Sequence, residues 1–342
     1  METMSVSSRK DTQEQGAGYV WPAWHAELVA FREPSAWKAG WQIINTLLPY
    51  GVLWYLMVRS IRLGYPYALT FAIGVLAAAF LVRIFILFHD CVHGSFFKRQ
   101  SLNTFFGYIF GVMVFTPFDD WRFSHLRHHA TYANLDARGF GDIWTLTRTE
   151  YALSPKWKRG AYRLYRSPVV MMGLGALFSF LLRFRLPAFR TTRKERMSVL
   201  FVNLLIVAVV LIAAGSMGWQ TYVLVQLPIM WMAGAAGIWL FFVQHQFEGV
   251  YWARKGGWDA LRAAMEGSSF YKLPTVLRWF SGNIGYHHVH HLGSRIPNYR
   301  LQECYEAIPA LQAKPPLTIR KSLSAIRLKV WDEERKALAG FS

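Results

Sequence analysis

Residues 67–93 read YALTFAIGVLAAAFLVRIFILFHDCVH, and this stretch decides the fold. From Tyr67 to Phe88 it is apolar except for Thr70 and Arg83. As a helix rising 1.5 Å per residue it reaches about 33 Å, enough to cross a hydrocarbon core of ~30 Å. It then runs without a break into HDCVH, where His89 and His93 stand four residues apart. A helix that continues through them turns both imidazoles to one face. A membrane span that ends in paired metal-ligand side chains is therefore expected, and Arg83 near that end reads as a snorkelling side chain.

The composition agrees. Of 342 residues 53% are hydrophobic and only 17% charged, which excludes a disordered chain and sits badly with an ordinary soluble enzyme. Two cysteines, Cys91 and Cys304, are too few for a disulfide scaffold and fit a reducing compartment. Cys91 reads as a packing residue. The net charge of +18 has no nucleic-acid-binding motif beside it, so no nucleic-acid partner is expected; lysines and arginines in cytoplasmic loops account for it.

Four runs are long enough to span, at about residues 41–58, 67–88, 198–217 and 222–243. Two shorter apolar runs, 102–118 and 168–182, read as in-plane or re-entrant segments. The stretch 144–197 carries twelve Lys or Arg and the link 218–221 none, which puts the large loops and both termini in the cytoplasm. Residues 1–18 are expected to be a disordered tail, 19–305 a membrane domain, and 306–342 a cytoplasmic tail with a helical charge pattern near 320–338. The expected fold is all-α: about four transmembrane helices under a cytoplasmic helical cap.

Eleven histidines lie along the chain. His25 stands alone and reads as a surface residue. Nine others fall in four places: His89 and His93; His125, His128 and His129 in HLRHH; His245; and His287, His290 and His291 in HHVHH. An HxxHH arises by chance about once in a hundred chains of this histidine content, and two far more rarely. Convergent neutral imidazoles suit Fe, Zn, Cu or Ni. Nine are too many for one closed four-ligand zinc site. Two six-coordinate ions sharing nine keep positions open for water or O2, and two irons fit best.

The motifs HDCVHGSFF (89–97), HLRHHATYAN (125–134), VQHQFEGVYW (243–252) and NIGYHHVHHLGSRIPNYRL (283–301) resemble those of the membrane-bound fatty acid desaturases, in the acyl-lipid branch of bacteria and plants. The resemblance covers about residues 40–305. It implies a non-haem diiron centre on the nine histidines named above, O2 as co-substrate, a lipid-borne acyl chain as substrate, a cis double bond as product, and a bacterial inner membrane location. Some members place an Asn four residues before the isolated histidine; Phe241 stands there in this chain. His288, Asp90, Asp142 and Glu248 are expected around the ligands, orienting their rings. Trp121 and Trp252 are candidates for the substrate entrance. With no GxGxxG turn, CxxC cluster or HPGG haem motif, electrons are expected from a separate donor, ferredoxin or cytochrome b5 in this family, both acidic partners for a basic chain. A diiron hydroxylase or ketolase acting on alkanes, fatty acids or carotenoids is the alternative. A non-enzymatic zinc transporter fits less well, because transporters hold their ligands at mid-membrane rather than at span ends.

Overall fold

The computed structural model describes residues 20–341, so the expected tail over 1–18 lies outside the described residues. Six helices build the frame: α1 (Ala36–Arg62), α2 (Tyr67–His93), α3 (Gln100–Met113), α4 (Phe118–Thr131), α5 (Arg193–Met217) and α6 (Trp219–His245). Each start and stop has a local cause. Ser35 caps α1 by accepting the Lys38 N–H, and a Thr192–Glu195 capping box opens α5. Gly94, in the left-handed region at φ 65°, ends α2 just after its second histidine.

Polar contacts fix how the long helices run. Thr70 donates to Ser60 and Arg83 Nε to Thr46 Oγ1, both at 3.0 Å, so α1 and α2 are antiparallel. Tyr67 OH donates to the Leu224 carbonyl, and Arg62 to the Ser216 carbonyl. The end of α1, the start of α2, the end of α5 and the start of α6 therefore gather at one end of the bundle. The ends of α2 and α6, both histidines, gather at the other.

Among the described residues three helices are long and apolar enough to cross a membrane: α2, α5 and α6. The α1 helix has the length, 27 residues, but it falls outside this apolar set, with Gln42, Asn45 and Thr46 on its polar half. The core sits on α2, whose apolar window is 61% buried against 22% for α5. Phe88, Ile84, Leu87 and Ala77 of α2 are inaccessible or nearly so. Arg83 is a correction to the snorkelling expectation. It is 3% exposed and held between Thr46, the Trp279 carbonyl and the Trp279 ring, 3.9 Å from its guanidinium.

The two short apolar runs become bent pairs. Helices α3 and α4 meet at 101°. Gly107 and Gly111 allow this: a Cβ on Gly107 would sit 2.2 Å from the Phe118 ring, and one on Gly111 2.6 Å from the Thr116 carbonyl. The helix Lys156–Tyr165 bends by 66° into Val169–Arg185, which is wound largely as π-helix and packs Ala176 and Phe180 against Gly234 of α6. Counting each bent pair as one span raises the apolar crossings from three to five.

The chain after α6 forms the cap. A six-residue helix, α7 (His287–Leu292), is its centre. Asn298 then ties the cap to the bundle, donating from its backbone N–H and its side chain to Asp90 Oδ2 (2.7 and 2.8 Å) and exchanging amide bonds with Gln42. The expected helix near 320–338 is only partly present. It stops by Arg327, and the rest is a hairpin pairing Val330–Asp332 with Ala337–Ala339. Val330, Trp331 and Leu338 are buried there, with Trp331 N–H donating to the Leu146 carbonyl, so burial and pairing override the charge pattern.

Gly107→Leu is expected to lower stability by ~1–3 kcal/mol through overlap with Phe118. Thermal unfolding in detergent reads this; an unchanged midpoint would show that the bend does not depend on the glycine.

Candidate metal centre

Four segments bring nine imidazoles together. The last turn of α2 supplies His89 and His93, α4 supplies His125, His128 and His129, the last residue of α6 is His245, and α7 supplies His287, His290 and His291. They form two adjoining groups. In the first, one ligand nitrogen from each of His89, His93, His125, His129 and His290 lies within 4.8 Å of the others. The second holds His128, His245 and His291 in the same way. His287 joins it, with Nε2 3.0 Å from that of His245 and 3.2 Å from that of His291.

Helical rotation explains the partition. Each residue turns the helix by about 100°, so i and i+4 differ by ~40° and i+3 lies ~60° to the other side. His89 and His93 stay together, as do His125 and His129, and His287 and His291. The middle histidine of each HxxHH crosses over: His128 joins the second group and His290 the first.

The donor set has a property that protons alone cannot satisfy. In the first group Nε2 contacts run His93–His125–His129–His290 at 2.9, 3.2 and 3.0 Å. In the second they run His128–His245–His287–His291 at 3.1, 3.0 and 3.2 Å. One ring nitrogen is either a single donor or a single acceptor. Four nitrogens with three successive contacts can thus make at most two hydrogen bonds. A cation accepting all the lone pairs resolves both runs. Burial, then the neighbouring histidines, push His287, His290 and His291 well below the ordinary imidazole value, so these rings are neutral and their lone pairs available. The residues therefore fit metal ions.

The surrounding residues divide. Asp142 Oδ1 lies 2.6 Å from His128 Nδ1 and fixes that ring with its Nε2 toward the group. Asp90 stands 3.6 Å from His89 Nδ1, and its other oxygen holds Asn298. Glu248 is exposed. His288 faces away: its Nε2 donates to the Leu311 carbonyl at 3.1 Å, it packs beside Phe270 and Tyr305, and burial, with Lys314 nearby, pushes it down to about 3. Trp121 stacks on His125 at 4.2 Å and closes an aromatic wall with Phe85 and Phe88. Trp252 is buried behind Tyr132 rather than at an entrance. Cys91 is buried packing. His25 is half-buried and stacks on Trp21 at 4.1 Å, apart from the cluster.

Two contributors escaped the sequence reading. Tyr132 packs its ring 4.0 Å from His245 and donates its hydroxyl to the His245 carbonyl; it is i+4 from His128, a spacing that was available. Asn298 carries no local signal beyond its place in IPNYR. Phe241, one turn before His245, packs on His245 and His128 at 5.0 and 5.3 Å.

Apolar helices capped by a bipartite histidine cluster define a membrane-embedded metalloprotein. The sequence profile of the fatty acid desaturase family matches residues 65–322, and the chain belongs to that family. It is 44% identical over 315 residues to a Bacillus subtilis protein named fatty acid desaturase, covering 92% of this chain and 89% of that one. It is 25% identical over 263 residues to an sn-1 oleoyl-lipid 12-desaturase of Picosynechococcus, covering 71% and 70%. It is also 25% identical over 244 residues to an sn-1 acyl-lipid omega-3 desaturase (ferredoxin) of Synechocystis, covering 66% and 63%. The protein is thus an integral membrane oxidoreductase of the desaturase kind.

Asp142→Ala is expected to weaken metal loading by ~10–100-fold, because His128 loses the partner that orients it. Glu248→Ala is expected to leave loading unchanged. Metal analysis after titration with a competing chelator separates the two; equal loading in both variants would remove Asp142 from the site.

Proposed function

We propose that this protein is an O2-dependent acyl-lipid desaturase that introduces a cis double bond into an acyl chain. Its two irons are held by His89, His93, His125, His129 and His290 and by His128, His245, His287 and His291. The observation that carries this reading is the gathering of nine imidazoles, in two groups, at one end of an apolar helix bundle. When bound, the irons supply with O2 the oxidising power to remove hydrogen from two adjacent unactivated CH2 groups. Imidazole donors suit iron, and a position at the helix ends suits an oxidase better than a transporter.

The chain's own part is positioning and exclusion of water. Asp142 fixes the proton of His128 on Nδ1, leaving Nε2 as the donor. Trp121, Phe85 and Phe88 wall the first group, and Phe241 and Tyr132 the second, so that an acyl chain reaching the centre meets aromatic surface. No acid–base pair is required for breaking a C–H bond.

The carrier of electrons is a separate ferredoxin or cytochrome b5-type protein; the Synechocystis relative's name supports the ferredoxin, and a +18 chain offers attraction to an acidic donor. The spans are α2, α5 and α6 together with α1, which is less apolar but has the length and runs antiparallel along α2, and both bent pairs return to the side they left. The residues between α2 and α5 support this. They begin at the histidine end, and α5 also begins there, tied to α4 by Ser198 on the Asp119 N–H and by Lys194 on its carboxylate. The basic 144–197 loop supports a sidedness with the histidines and both termini on the cytoplasmic face of a bacterial inner membrane.

Expression in a host with a ferredoxin donor, followed by gas chromatography with mass spectrometry of the lipids, is expected to show new unsaturated acids. Hydroxy acids or oxidised carotenoids without new unsaturation would replace this reading by the hydroxylase or ketolase one. Each of the nine histidines changed to Ala is expected to remove activity and lower iron content, with His25→Ala unaffected and His288→Ala intermediate. Full activity in two expressed ligand variants would sink the assignment. Reporter fusions after residues 150, 219 and 342 should place 150 and 342 on the cytoplasmic side and 219 opposite; 150 and 342 on opposite sides would make one bent pair a crossing.

A further inference from the structure

A cleft of about 330 Å³ opens between the histidine-side half of α1, α2 at Arg83, and the helix Thr275–Phe280. Its volume falls within the range of small-ligand sites, ~300–1,000 Å³. Lys38, Arg83 and Arg278 line it and no carboxylate does, while Glu303 and Glu306 line the adjoining hollow on the outer side of Lys38. Arg83 is 3% exposed; its Nε and Nη1 are bonded to Thr46 and to the Trp279 carbonyl, and its Nη2 meets no protein acceptor among the described residues. Arg83, buried at the edge of an apolar bundle with no carboxylate among its bonded partners, is favoured by an anion that joins it.

The neighbouring residues say where that anion comes from. Trp37, Trp41 and Trp279 line the same cleft and are 80%, 55% and 38% exposed. Exposed tryptophans around one end of a membrane bundle mark the level of the lipid headgroups. At that level the abundant anion is a lipid phosphate, and a guanidinium fork matches its oxygens. The side-chain amides of Asn45 and Asn283 add hydrogen-bonding groups.

We propose that the cleft formed by Lys38, Arg83 and Arg278 seats the phosphodiester of a bilayer phospholipid. The site rests on the membrane reading above but not on the oxidation chemistry. It is joined to the metal centre: Gln42, on the cleft wall, is bonded to Asn298, which holds Asp90 beside His89. Arg83 precedes His89 by six residues, about 1.7 turns of α2 or about 9 Å along the axis, so a phosphate bound there lies close to the first histidine group.

The test is lipid retention by the full-length protein, read by native mass spectrometry without turnover, so a catalytically silent preparation still answers it. The delipidated protein is offered phosphatidylglycerol, diacylglycerol with the same chains, acyl-CoA, or inorganic phosphate. One phosphatidylglycerol is expected to be retained, and diacylglycerol and inorganic phosphate are not. The double variant Lys38→Gln/Arg278→Gln is expected to lose retention by about tenfold or more, given ~1.5–3 kcal/mol for a hydrogen bond to a charged group. Asn45→Asp, nearly isosteric, adds a carboxylate to the cleft and should lose retention to a similar degree, which guards against misfolding of the double variant. Wild-type retention in both variants, equal binding of diacylglycerol, saturation by inorganic phosphate alone, or displacement of the lipid by equimolar acyl-CoA would each overturn the proposal.

Discussion

Eight imidazole nitrogens in two runs, each 2.9–3.2 Å from the next, are the constraint on which the rest of the structure depends. Neutral rings brought this close cannot all find protons to share. A cation meets all of their lone pairs only if the rings are held in register by supporting elements that do not yield. This gives a physical reason for the frame: α2 buried through most of its length, α4 tied to α5 by Asp119 with Ser198 and Lys194, and α7 wedged under a cap held from both sides.

The cap shows how tightly the two halves are joined. Asn298 binds α2 through Asp90 and α1 through Gln42, so one residue links the cap to two helices of the bundle. On the other side Arg166, only 1% exposed, spans the Trp144 and Leu328 carbonyls and the Gln246 side chain next to His245. His288 belongs to this scaffold as well. Its bond to the Leu311 carbonyl anchors the far face of α7, so that adjacent histidines, His287 and His288, serve opposite sides of one short helix.

Much of this was legible because it follows from local periodicity. The pair His89/His93 and the two HxxHH triplets announce themselves by helical spacing, and α2 and α6 by length and apolarity. What was not legible is nonlocal. Spacing alone does not say that His128 leaves its neighbours for His245, since that depends on where α6 ends. Asp142 and Glu248 look alike in sequence, yet one is fixed against His128 and the other faces outward because their loops turn differently. Trp252 reads in sequence as a candidate for the substrate entrance and is buried; Arg83 looked like a snorkelling residue and is enclosed by a helix nearly two hundred positions away. Near 320–338 the charge pattern suggested helix, but Trp331 had a better place to bury as a strand.

The order of the ligands along the chain bears on how the protein is made. The first group is open until His290 arrives, and the second lacks two of its four rings until α7 has been synthesised. A growing chain, laid into the membrane helix by helix, thus carries incomplete histidine groups until α7 has been made. Both groups are complete only when the cap closes on the bundle, which couples the full holding of metal to a late folding step rather than to membrane insertion.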